Sequence, residues 1–201
     1  HQYDEAGRVV RSENAGGKRE YSYDQRGDLY QAAVYNAEGE QQYAYTFVYR
    51  YDEENRLTQM AVCCKACAQP TGSFIQTERY VYDEAGRMIW RETTKEYPQK
   101  PSSGYVTTTR WRYDEQGRQL GRILEMKSDQ NTVTNLTEEE YWTYDESGKL
   151  LTHRQKTVYA QDPANNMDWK ETHTYNSRGL LTELLTEGSY PNAPRRNYTV
   201  R

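Results

Sequence analysis

The chain has 201 residues, with 26 Lys and Arg against 30 Asp and Glu for a net charge of −4. Leu, Ile, Val and Phe number only 26, well under the rough fifth of a chain expected of a folded domain, but near-balanced charge together with 20 Tyr and 4 Trp excludes disorder. The longest apolar run, Met60 to Cys64, is too short to cross a bilayer, no Lys/Arg-flanked signal segment opens the chain, and no basic stripe offers a complement to nucleic acid; a soluble piece is expected.

Taken along the chain, one motif recurs: Tyr-Asp or Tyr-Asn, two variable residues, then Gly. It stands at Tyr3, Tyr23, Tyr51, Tyr82, Tyr113, Tyr144 and Tyr175, and the last five copies are 31 residues apart without a gap. Self-similarity at a fixed period is the mark of a repeat architecture. Other columns keep step. Tyr43, Phe74, Tyr105, Leu136 and Met167 lie eight residues before the motif, and Tyr49, Tyr80, Trp111, Trp142 and His173 lie two before it. Nineteen residues after it come Pro70, Pro101, Thr132, Pro163 and Pro194.

Each repeat reads as a β-hairpin. Asp opens a type I turn by bonding its own backbone, and the Gly that follows (Gly86, Gly117, Gly148, Gly179) takes the left-handed conformation that closes a short hairpin with a bulge. Asn55 replaces Gly once and is the next-best residue there. Flanking stretches such as FIQTERYVYD and YVTTTRWRYD carry β-formers whose alternate residues face opposite sides. No stretch shows helical spacing.

The register expected from the turn sets Tyr82 opposite Met88, Tyr80 opposite Trp90, Trp111 opposite Gly121, and Glu138 and Glu140 opposite Lys156 and Arg154. Asp83 and Arg87, Asp114 and Arg118, and Asp145 and Lys149 should flank their turns as ion pairs. The fold class is therefore all-β: an antiparallel meander of tandem hairpins, about fourteen strands, in a twisted or curled single sheet, solenoid-like or part of a spiral shell. Residues 1–201 read as a single tandem-repeat array. Only His1 and Gln2 precede the first motif and Tyr198 to Arg201 begin another repeat, so both ends look cut from a longer protein.

YDEAGR at Tyr3 and Tyr82, YDEQGR at Tyr113 and YDESGK at Tyr144 closely resemble the YD repeat of RHS-type proteins. The resemblance covers essentially the whole chain, although the 31-residue repeat is longer than the family's usual spacing, which only Tyr3 to Tyr23 approaches. It implies a β-sheet spiralling into a shell or tube in large secreted or surface-displayed bacterial proteins, including polymorphic toxins and insecticidal toxin complexes. In these the repeats enclose a cargo domain or have been proposed to bind carbohydrate. An extracellular or cell-surface location follows from the same resemblance. No autoproteolysis core or toxin module is visible in these residues.

The aromatic columns are the strongest binding candidates, because sugars stack on Trp and Tyr while carboxylates and amides take their hydroxyls. Trp142, Tyr144, Glu138 and Glu140 share one strand face, as do Trp169, Glu171, His173 and Tyr175, and Trp111 with Tyr113. Trp111, Trp142, Trp169, Glu140 and Glu171 form the expected ligand-binding set, against the plainer reading that the rings are the core of the sheet and that Glu138 and Glu140 pair with cations. The motif Tyr and Gly residues are structural. A polysaccharide-active enzyme using Glu138, Glu140 and Glu171 beside Trp142 and Trp169 is the alternative.

Cys63, Cys64 and Cys67 are too few for a four-ligand zinc site and read as a local Cys64 to Cys67 disulfide or as plain thiols. His153 and His173 read as packing residues. One carboxylate per turn is too few for calcium, and no nucleophile triad or phosphate loop can be assembled. No catalytic residue, metal or cofactor is expected. The partners expected are a glycan or protein, with edge-to-edge self-association from open strand edges.

Overall fold

The computed structural model describes residues 1–65, 73–128, 135–189 and 199–200. Among them run fifteen strands, hydrogen-bonded in chain order: β1 Gln2–Tyr3, β2 Val9–Asn14, β3 Gly17–Tyr23, β4 Leu29–Tyr35, β5 Gln41–Tyr51, β6 Leu57–Lys65, β7 Phe74–Tyr82, β8 Met88–Glu96, β9 Tyr105–Tyr113, β10 Gln119–Ser128, β11 Leu136–Tyr144, β12 Leu150–Tyr159, β13 Met167–Tyr175, β14 Leu181–Ser189 and β15 Thr199–Val200. The antiparallel meander is as expected. The two 3-10 turns, Pro101–Ser103 and Pro163–Asn165, lie in the Pro-bearing loops. Proline stands at the first helical position of each, where its missing N–H costs nothing. Pro70, Thr132 and Pro194 fall outside the described residues.

The motif turns are built alike. In the turn after β7, the Gly86 N–H donates to Asp83 O (3.0 Å), the Asp83 N–H donates to Arg87 O (2.9 Å) and the Arg87 N–H donates to Asp83 Oδ1 (2.8 Å). Gly86 holds φ at +77°, and Asn55, standing in for Gly, holds +64°, the left-handed region that Asn tolerates better than other side chains. The expected ion pairs form at Asp83–Arg87 (2.7 Å) and Asp114–Arg118 (2.6 Å). At the third turn Asp145 Oδ1 accepts the Lys149 backbone N–H (2.9 Å), and the ammonium turns instead over the Tyr175 ring, 5.6 Å from its centroid.

Strand pairing corrects the expected register. Tyr144 lies opposite Leu150, but the register then shifts so that Thr143 faces Thr152 and Trp142 faces His153. Beyond that bulge every partner is displaced by one residue. Glu138 and Glu140 therefore face Thr157 and Gln155, and Lys156 and Arg154 face Glu139 and Tyr141 on the opposite side. The β5–β6 hairpin shifts in the same way, pairing Tyr51 with Leu57 and Tyr49 with Met60. Gly121 stands opposite Tyr141, whose ring carbons lie 3.7 and 3.9 Å from where a Cβ would sit.

The chain divides into two compact units, residues 1–80 with 92–105 and residues 81–91 with 106–201. In the first, Tyr43, Tyr45, Phe47 and Tyr49 of β5 follow one another along one face at centroid spacings of 5.5 to 6.5 Å. Ala32, Ala33, Val62 and Cys64, the buried hydrophobic residues among those described, all belong to this unit, and of these only Cys64 is fully buried. Cys64 is disulfide-bonded and Cys63 is free, while Cys67 lies outside the described residues. The second unit buries none of its described hydrophobic side chains completely. Its tryptophans and motif tyrosines are half-buried, and Tyr141, on the opposite face from Trp142, is exposed.

Repeats are tied together by their motif tyrosines. In the second unit the hydroxyls of Tyr113, Tyr144 and Tyr175 donate to Met88 O, Gln119 O and Leu150 O of the preceding hairpin at 3.1, 3.0 and 2.9 Å. Each ring also receives the cation of the preceding turn: Arg87 over Tyr113 (5.1 Å), Arg118 over Tyr144 (5.0 Å) and Lys149 over Tyr175. Arg87 and Arg118 reach one step further, donating to the carbonyls of Asp114 (3.0 Å) and Asp145 (3.2 Å) in the next turn. The first unit uses the same device, with Tyr23 donating to Val9 O (2.8 Å) beneath Arg8.

Candidate functional site

Alternation along β11 puts Leu136, Glu138, Glu140, Trp142 and Tyr144 on one face; alternation along β13 does the same for Met167, Trp169, Glu171, His173 and Tyr175. These are the face-sharing sets expected from sequence. Pairing through β12 joins them: Trp142 faces His153, which faces Glu171, and Glu140 faces Gln155, which faces Trp169. Arg122 of β10 lies opposite Glu140, and on the far side Thr186 and Gly188 of β14 stand opposite Glu171 and Trp169.

The centre of the site is the imidazole of His153. It stacks on Trp142, with centroids 5.0 Å apart and planes 9° from parallel, and meets Trp169 edge-on at 4.9 Å and 80°. Such aromatic contacts contribute about 0.5–1.5 kcal/mol each beyond the area they bury. The bulge explains this geometry, since without its extra residue His153 would leave the face of Trp142. Sequence reading assigned His153 to packing. Its place between two indoles was not foreseen, because the partner depends on the register.

The carboxylates differ in their surroundings. Arg122 bridges Glu138 and Glu140, its Nε lying 2.9 Å from Glu140 Oε2, so these two acids pair with a cation of the neighbouring strand and not with Lys156 and Arg154. The His153 Nε2 is 3.8 Å from Glu140 Oε1, too long for a hydrogen bond, and has no other partner. Glu171 makes no ion pair with a guanidinium of the described residues; His173 Nε2 lies 3.7 Å from its Oε2, and its side chain is 31% exposed against 15% for Glu140.

Glu140 and Glu171 occupy one column of the repeat, four residues before the motif Tyr, and Glu78 occupies the same column in the first unit. There it is buried, accepting from Gln76 Nε2 (2.8 Å) and from the Tyr80 hydroxyl (2.5 Å). One repeat position thus holds a buried structural acid, a paired acid and an open one.

Several polar groups around the indoles are unused. The indole N–H groups of Trp142 and Trp169 and the Gln155 amide make no hydrogen bond to any described residue, and the hydroxyl of Thr157, on the same face, is buried without a partner. The arrangement offers two ring faces with neutral donors and acceptors and an open carboxylate, a set suited to a polyhydroxylated ring. Trp111 and Tyr113 share a face of β9, as expected, but Trp111 is not part of the Trp142–His153–Trp169 stack. Among the described residues no group of three or more His, Cys, Asp or Glu is arranged to hold a metal ion.

Residues 3–41 match the profile of the RHS Repeat family. No curated protein matches the chain. Among solved structures it is similar to the crystal structure of TcdB2-TccC3-Cdc42, with a TM-score of 0.40 and 16% identity; the match covers 96% of this chain and 12% of that one.

Proposed function

We propose that this chain, an RHS/YD-repeat protein, is a non-enzymatic structural and binding section of a secreted or surface-displayed repeat protein, and that the Trp142–His153–Trp169 face binds carbohydrate. The latched hairpins supply a rigid scaffold, and a role in the wall of a larger toxin-associated shell is what the family resemblance supports. The observation that carries the binding reading is the pair of half-open indoles held at fixed angles by His153, with unused donors and acceptors around them. Preorganised aromatic surface binds with little ordering cost.

The geometry favours binding over turnover. A glycoside-cleaving pair works with two carboxyl groups flanking the bond, whereas Arg122 engages Glu138 and Glu140 and leaves Glu171 as the single one of the three without a guanidinium partner.

A glycan array combined with a reducing-sugar assay tests this reading. We expect binding without turnover, weakened about tenfold or more, the equivalent of about 1.4 kcal/mol, in Trp142→Ala and Trp169→Ala with the far-UV circular dichroism unchanged. Turnover that is lost in Glu140→Gln while binding persists would overturn it.

A further inference from the structure

We infer that the glycan taken by this face carries a free ammonium group, that is, an amino sugar, with Glu171 as the counter-ion. The inference rests on the carbohydrate reading above and adds the charge of the ligand.

Charge around the indole pair is unevenly matched. Arg122 of β10 faces it, as do Glu138 and Glu140 of β11 and Glu171 of β13. His153 of β12 and His173 of β13 share the face; at its turn end stand Tyr144 and Tyr175, beneath Arg118, which pairs with Asp114, and beneath Lys149, while Thr186 and Gly188, opposite Glu171 and Trp169 on β14, are uncharged. The guanidinium is consumed by Glu138 and Glu140. Beside the indoles themselves three carboxylates stand against the single guanidinium of Arg122, a surplus of negative charge.

Glu171 is the carboxylate in which that surplus is accessible. It lacks a hydrogen-bonded cation, it is the most exposed of the three, and it lies directly across the strand pair from His153, the ring held between the two indoles. Cross-strand neighbours sit about 4.5–5.5 Å apart at Cβ, so a sugar ring lying on the indoles brings a ring substituent within reach of Glu171. An ammonium substituent gains both the carboxylate and the negative faces of the indoles. A uronate or sulfated sugar would set like charge against the surplus acid. A lysine side chain carries the same ammonium, but the unused neutral donors and acceptors match ring hydroxyls, which lysine lacks.

Isothermal titration of the whole chain with oligosaccharides of glucosamine, of N-acetylglucosamine and of a uronic acid, all of one length, and with an oligolysine peptide tests this. The glucosamine oligomer should bind at least tenfold more tightly than the acetylated one, the uronate should not bind, and Glu171→Gln should erase the tenfold difference. Equal affinity for acetylated and deacetylated oligomers, or a preference that survives Glu171→Gln, overturns the inference and leaves the carbohydrate reading standing. Oligolysine binding as tightly as the glucosamine oligomer also overturns it, in favour of a basic peptide. If no glycan binds, the carbohydrate reading falls as well.

Discussion

The phenol hydroxyls of the motif tyrosines explain a bias in composition, 20 Tyr against 2 Phe. Tyr113, Tyr144 and Tyr175 give theirs to main-chain carbonyls of the previous hairpin, and the Tyr at 31-residue spacing was the signal available. Tyr144→Phe keeps the ring under Arg118 but orphans Gln119 O, so urea unfolding should show a loss of about 0.5–1.5 kcal/mol. Tyr141→Phe, whose exposed hydroxyl reaches Glu139 only at 3.4 Å, should change stability by no more than a few tenths. The turn aspartates add a pH dependence. The Arg87 backbone N–H, then its guanidinium, hold Asp83 below the ordinary carboxylate range against partial desolvation, and the Lys149 N–H and Ser147 hydroxyl do so for Asp145. A lowered folded-state pKa means that stabilisation is complete above the unfolded value, about 4. It is lost as pH falls through the lowered folded value. Thermal melts should therefore show little change from pH 7 to 5 and a falling midpoint below pH 4, less steep in Asp83→Asn.

At the scale of strands, the hairpins and the residues sharing each face were legible because both depend on local spacing: a four-residue turn and a period of two. The partners were not. One extra residue at the β11–β12 bulge moves Glu138 and Glu140 away from Lys156 and Arg154 and places His153 against Trp142, and the sequence carries no mark that separates a hairpin with one irregularity from a hairpin with two. Burial was equally hidden, since Glu78, Glu140 and Glu171 share a column but not an environment. Close approach of β13 and β14 supplies a test. A Cβ on Gly188 would lie 2.5 Å from Asp168 O and from Trp169 Cα and Cβ, so Gly188→Ala should push the strands apart at a cost of about 1–3 kcal/mol. It should also displace Trp169, quenching or shifting its fluorescence.

Over the whole molecule, stability is a sum of hairpins and of the latches between neighbours, and cooperativity need not extend along the array. Trp90, Trp111, Trp142 and Trp169 all lie within residues 81–91 and 106–201, so tryptophan fluorescence reports on one compact unit while far-UV circular dichroism reports on both. Denaturant midpoints from the two probes should differ; coincident curves would mean that the array unfolds as one. The amino-acid sequence alone determined the repeat, its turns, the all-β meander and the faces on which Trp142, Trp169 and the glutamates stand, because each follows from spacing within a single hairpin. Only the tertiary structure decided that Arg122 holds two glutamates, that His153 sits between two indoles and that Glu171 is left open. Those contacts join strands whose alignment turns on a single inserted residue, and backbone pairing settles that alignment only once neighbouring hairpins are in place.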